Sequence, residues 1–185
     1  MNEITEKKVL LVVDVQNIFF SARNIYGKGV KIDFGKMLDY FKRVFPSNYN
    51  IVDKLAFVVS TNLPNSRGFR LALQKRYGFT VFSKTVPADR VTGGSDDPGT
   101  DWDVGLVLKT AGMMLGEGVE NGLVYDVLLL ASGDGDFVDL VKYLKERRPN
   151  VQVEVASFRS SMSNFLIKSV DHFYELGEEI VILPE

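Results

Sequence analysis

An α/β fold with a mostly parallel sheet of five or six strands is predicted by three features of the sequence. Short, fully apolar runs recur along the chain, such as Val9–Val13 and Val127–Ala131. Helically patterned segments separate them. The first and fourth runs end in acidic or glycine-rich stretches. Apolar runs of this length suit strands buried on both faces, as parallel strands are. Their alternation with helices is the βα repeat of a parallel sheet covered on both sides.

The elements follow in order. Residues 1–7 read as a loose polar tail and 8–185 as one domain. Lys8–Asp14 is the first strand. Residues 15–29 read as a short helix or ordered loop, with Phe19, Phe20 and Tyr26 as core. Asp33–Phe45 places Phe34, Met37, Leu38, Phe41 and Val44 at helical spacing, with Asp33 as N-cap and Pro46 as stop. Lys54–Thr61 is the second strand, and residues 62–66 form a turn with Pro64. Arg67–Tyr77 is a helix closed by Gly78, and Phe79–Lys84 the third strand. Residues 85–100 form a loop of the length associated with function. Asp103–Leu115 is helical, and Tyr125–Ala131 is the fourth strand. Phe137–Arg147 is a helix and Val151–Ala156 the fifth strand. Residues 159–176 read as one or two short helices, and Ile180–Leu183 as a sixth, edge strand.

The bulk composition excludes several chemistries. The chain has 185 residues, 45% hydrophobic and 25% charged, enough apolar material for one core. With no cysteine and one histidine, there is no disulfide, thiolate zinc site, cysteine nucleophile or multi-histidine centre. A net charge of −2 means that any nucleic-acid contact must come from a local basic patch. No run is long enough to span a membrane, and the charged N-terminus carries no signal-peptide core, so a cytoplasmic protein is expected.

The chemistry-bearing stretch is Ser132-Gly133-Asp134-Gly135-Asp136-Phe137, directly after the fourth strand. Asp14 closes the first strand, with Asn17 one turn further on. Asp101 and Asp103 open the helix after the long loop. In α/β sheets ligands bind outside the carboxyl ends of the strands, where the strand order reverses. On that edge the acids would repel one another unless a cation sits among them. An all-oxygen donor set selects a hard ion, Mg²⁺ or Mn²⁺. The competing role is helix capping, which Asp136 shares with metal binding in this reading. Two acids at the start of a helix also favour its dipole.

These motifs resemble the NYN domain in its LabA-like branch. Asp14-Val-Gln-Asn17, Asp103-Val104 before a long helix, and Ser132-Gly-Asp-Gly-Asp-Phe137 carry the resemblance, with Leu166 and Asp171-His-Phe in the closing segment. It covers roughly residues 8–176. It implies a Rossmann-like, PIN-type three-layer fold and Mg²⁺-dependent nuclease chemistry, most often on RNA. It places the metal-binding and catalytic acids at Asp14, Asp103, Asp134 and Asp136, with Asn17 and Ser132 as polar partners. One departure stands out: Thr100-Asp101-Trp102 occupies the place where the family often has Lys-Gly before the helix acid.

Arg67, Arg70, Lys84 and Arg90 fall near the same edge and are candidate phosphate contacts. Trp102 is a candidate base-stacking residue, with helix anchoring as the alternative. His172 reads as structural. Ser132 lacks the nucleophile-elbow context of a serine hydrolase. The isochorismatase-like hydrolases, whose opening the first strand also resembles, need a cysteine. An EF-hand fails at Val138, and a haloacid-type phosphatase at Gln16. Two main classes stand: an endoribonuclease, possible as a homodimer, and a binding domain that uses the same acidic edge to hold RNA, a nucleotide or a protein. A phosphatase for a small metabolite is the third.

Overall fold

The computed structural model describes residues 5–60, 64–86, 102–117 and 122–184. A six-stranded, wholly parallel sheet forms the centre. Its strands are β1 (Lys7–Asp14), β3 (Tyr49–Ser60), β4 (Thr80–Thr85), β5 (Val127–Ala131), β6 (Gln152–Ser157) and β7 (His172–Glu175). They lie in the order β4-β3-β1-β5-β6-β7. The two remaining strands, β2 (Lys31–Ile32) and β8 (Val181–Ile182), pair as a separate antiparallel ribbon. With those two set aside, the sheet has the doubly wound Rossmann order, which reverses between β1 and β5.

Strands β1 and β5 are central because their side chains can lie on either face without meeting water. Val9–Val13 and Val127–Ala131 are all fully buried. Each larger aliphatic side chain among them contributes about 1.5–3 kcal/mol relative to exposure. Successive residues point to opposite faces and so divide between two cores. On one face Val9, Leu11, Val13, Val127 and Leu129 pack beneath α1 (Val15–Tyr26) and α2 (Phe34–Val44). On the other Leu10, Val12, Leu128 and Leu130 pack beneath α4 (Asp103–Met114) and α5 (Val138–Arg147). The remaining helices, α3 (Pro64–Lys75) and α6 (Asn164–Ser169), follow β3 and β6.

The α/β expectation therefore holds, with two corrections at the C-terminal end. The sixth strand of the sheet is His172–Glu175, inside a segment read as helical. Its apolar residues Phe173 and Leu176 match helical spacing, but Tyr174 alone of the four strand residues is buried, as at a sheet edge. Residues 181–182 are extended but pair with β2 instead of joining the sheet. Smaller differences concern boundaries, and α3 starts at Pro64, inside the segment read as a turn. Residues 15–26 form a full helix of three turns, capped by the Asp14 carboxylate. Strand β3 begins at Tyr49, five residues earlier than expected. The Asp33 cap is as expected, accepting the Lys36 N–H at 3.0 Å. Most of the 85–100 loop and residues 1–4 lie outside the described residues. Among the described residues no helix is long and apolar enough to cross a membrane.

Candidate functional site

Strand register brings the first and fourth sequence motifs together. Val13 pairs with Ala131, so the next residues, Asp14 and Ser132, emerge side by side at the carboxyl ends of β1 and β5. This is the point where the strand order reverses. Ser132 is fully buried. Its hydroxyl donates to Asp14 Oδ2 at 3.3 Å and accepts the Asp134 N–H at 3.3 Å. It is thus a polar bridge between two acids.

Asn17 ties the two loops from the other side. Its N–H donates to Asp14 Oδ1 at 3.0 Å, and its side-chain oxygen accepts the Gly133 N–H at 3.0 Å. The amide oxygen is therefore occupied by the backbone, while the amide NH₂ has no hydrogen-bond partner among the described residues. Gly133 is required by close approach. A Cβ there would stand 2.5 Å from the Ser161 carbonyl oxygen and 2.6 Å from Ser157 Oγ. The motif loop is pressed against the segment after β6, and the Ser163 N–H also donates to the Gly133 carbonyl at 2.9 Å.

The two acids of the motif have separate roles. Asp134, not Asp136, is the cap: its Oδ1 accepts the Asp136 N–H at 3.0 Å and opens the 3₁₀ turn Gly135–Phe137. Asp134 is partly buried, and Asp136 is exposed.

Electrostatics mark Asp14. Its carboxyl is pushed up from 3.8 to about 6. Burial is the largest cause, and the nearby Asp134 carboxylate adds to it. Hydrogen bonds from Asn17, Ser132 and Gln16 work in the opposite direction without cancelling it. A carboxylate held in this way is stabilised by a cation beside it.

The remaining expected residues lie on several elements. Asp103 opens α4, which packs on the opposite face of the sheet from α1. Among the described residues no three acidic or histidine side chains gather closely enough to form a ready-made metal cage. The close acidic pair is Asp14 with Asp134. That pair suits Mg²⁺, which binds through one or two carboxylates and keeps several waters. Trp102 turns inward, edge-on to Phe57 at 6.0 Å and against Gly105, at the start of α4. Arg70 Nη1 donates to Ser60 Oγ at 2.5 Å, Arg67 is exposed, and Lys84 lies in β4. Arg90 and Asp101 lie outside the described residues. Two residues read as core, Phe19 and Phe20, instead line a pocket beside Asp14. Their adjacency in sequence was a signal, because neighbours on a helix cannot both face the same core.

The NYN domain model matches residues 8–177. The chain belongs to the NYN domain family. Members of this family are generally nucleases of the PIN-like superfamily, and the Asp14–Ser132–Asp134 arrangement lies within the matched region. Among solved structures, this NYN domain is similar to a protein of unknown function from Vibrio parahaemolyticus RIMD 2210633. The two are 25% identical, with a TM-score of 0.76, over 98% of this chain and 100% of the other. No curated protein matches significantly.

Proposed function

We propose that this NYN domain, of the LabA-like branch, is a Mg²⁺- or Mn²⁺-dependent endoribonuclease that hydrolyses RNA phosphodiesters beside Asp14 and Asp134. The observation that carries this reading is the partly buried pair of acids at the switch point of the sheet, with Ser132 tying the Asp14 carboxylate to the Asp134 backbone and the Asp14 carboxyl raised by desolvation and by Asp134. Asp14 and Asp134 would hold the ion, with Asp103 and Asp136 as further oxygen donors on this edge. When bound, such an ion neutralises the phosphodiester and lowers the pKa of a coordinated water.

The protein's own groups set the geometry. Ser132 fixes Asp14 through one hydrogen bond and the motif backbone through another. Asn17 holds the two loops at a constant separation and can offer its NH₂ to a phosphate oxygen. Asp136, exposed two residues after Asp134, would orient the attacking water. Arg67, Arg70 and Lys84 supply positive charge for backbone phosphates, which positions a strand without reading its sequence. Trp102 contributes by anchoring the start of α4, which carries Asp103.

The test is cleavage of an end-labelled single-stranded RNA in Mg²⁺, Mn²⁺ or EDTA, with wild type and Asp134→Asn. The asparagine keeps a capping oxygen, so the fold should survive while divalent-dependent cleavage is lost. An Asp134→Asn protein that cleaves at the wild-type rate would sink the site assignment. Wild-type protein that binds RNA without cutting it in either metal would make this a binding domain.

A further inference from the structure

A pocket of about 640 Å³ opens next to Asp14, walled by α1, the end of β3, α3 and the β2–β8 ribbon. Its size falls within the roughly 300–1,000 Å³ of small-ligand sites. Val15 and Gln16, the two residues after Asp14, form its near wall. Register explains the space: Asp14 pairs with Phe57, so Val58–Ser60 run on past the end of β1 and leave a step at the carboxyl edge.

The lining is aromatic and cationic. Phe19 and Phe20 stand together on α1 with ring centroids 5.6 Å apart. On the facing wall Phe69 of α3 lies 5.8 Å from Phe34 and is 37% exposed. Phe34 and Val58 are core residues and give the pocket a fixed floor. Arg23 and Lys31 also line it, and among the described residues no acidic one does. Neither cation has an ion-pair partner among the described residues.

We propose that this pocket receives one unpaired nucleotide of the RNA strand, its base against Phe69, Phe19 and Phe20 and its phosphate toward Arg23 and Lys31. The proposal rests on the nuclease reading and deepens it by making the substrate single-stranded at the cut. Three features select this occupant. Aromatic faces accept any base by stacking. Two cations with no acidic partner among the described residues complement a phosphate. Val15 and Gln16 of its near wall directly follow Asp14, so a seated nucleotide brings a neighbouring phosphodiester toward Asp14. A paired base has its faces covered and cannot enter.

The experiment is fluorescence anisotropy of the full chain with a labelled unstructured RNA of about a dozen nucleotides, in EDTA so that nothing is cut. Phe69→Ala should weaken binding roughly five- to a hundredfold, the range of one lost base stack. Phe69→Tyr, which keeps a stacking face, should bind like wild type. Arg23→Gln should lower the slope of log affinity against log salt by about one. A blunt duplex of the same sequence should be insensitive to Phe69→Ala. Equal single-strand binding by Phe69→Ala and wild type, with both folded by circular dichroism, overturns the proposal. So does a wild-type pocket that fills with a long-chain acyl probe while no RNA binds. Cleavage of the same strand in Mg²⁺ separates the two readings. A protein that cuts RNA but ignores Phe69→Ala refutes the pocket alone. One that binds through Phe69 but never cuts refutes the nuclease alone.

Discussion

The side-chain oxygen of Asn17 accepts the backbone N–H of Gly133 at 3.0 Å, joining the loop after β1 to the loop after β5. Asn17→Ala leaves that N–H without its acceptor in a loop where Gly133 is buried. An unsatisfied buried donor costs about 1–3 kcal/mol. Urea denaturation should therefore show a lower midpoint with an unchanged m-value, and RNA cleavage should fall further than the stability loss explains. A midpoint equal to wild type would mean that the loops are held by other contacts.

The shifted Asp14 carboxyl predicts a pH-dependent stability in the metal-free protein. Its folded value, about 6, lies above the ordinary 3.8, so the folded state holds its proton more tightly. Between those two values the native protein binds more protons than the unfolded chain, and stability falls as pH rises. From this group the loss is complete above about pH 6 and is on the order of 3 kcal/mol at most. Asp14→Asn, which keeps an oxygen for the Asn17 N–H, escapes that loss. In EDTA it should be more stable than wild type at pH 7.5, with a smaller difference at pH 4.5. Urea midpoints at the two pH values check this, and a variant less stable than wild type at pH 7.5 would contradict it.

The same charge argument predicts the response to metal. Millimolar Mg²⁺ should raise the wild-type melting temperature at pH 7.5, because binding only to the native state stabilises by mass action. At pH 5, where Asp14 is largely protonated, the gain should shrink. Asp14→Asn and Asp134→Asn should each show little or no gain. Differential scanning fluorimetry across a Mg²⁺ titration reads all of these, and an equal rise in the Asp134→Asn protein would place the ion elsewhere.

The sheet and the acid pair were legible in the sequence because each depends on short-range signals. Val127–Ala131 is short, wholly apolar and bounded by turn residues, as a strand buried on both faces is, and acids at the carboxyl ends of two parallel strands share an edge. Other features depend on partners distant in sequence. Whether His172–Glu175 is helix or strand is decided by β6, beside which Phe173 pairs with Val155. The cap formed by Asp134, in place of Asp136, depends on the 3₁₀ turn. Burial of Glu154 within β6 is explained only by tertiary contacts. The hydroxyls of Tyr49 and Tyr174, from strands β3 and β7, donate to it at 2.7 and 3.0 Å. The pocket beside Asp14 arises where β3 outruns β1, a matter of register that no local pattern encodes.

That tyrosine pair yields a further prediction. Glu154 is 3% exposed and satisfied by two hydroxyls. Burial, with the nearby Glu154 charge, drives both phenols well above their usual range. Glu154→Leu strands the buried Tyr174 hydroxyl, while Tyr49 keeps the Gln152 side-chain oxygen as an acceptor at 3.0 Å, and should destabilise by about 1–3 kcal/mol. Glu154→Gln keeps an acceptor and should lose less. Comparison of the two by chemical denaturation decides it, and an equal loss would point to packing instead of hydrogen bonding.

Two glycines give opposite expectations for the same substitution. At Gly133 a methyl group meets the Ser161 carbonyl and Ser157 Oγ at 2.5 and 2.6 Å, and the first of these is backbone that cannot move aside cheaply. Gly133→Ala should destabilise by about 1–3 kcal/mol, as overpacking does. It should also displace the Ser132 and Asp134 positions, so cleavage should fall with it. At Gly68, within α3 and exposed, a Cβ meets nothing within 4 Å. Gly68→Ala should stabilise by about 0.4–1 kcal/mol through the entropy of the unfolded chain and better helix propensity. Thermal melts of both variants test the pair together. If Gly133→Ala melts at or above wild type, the loop is not pinned against the segment after β6, and the positioning of Asp134 must come from Asn17 and Ser132 alone.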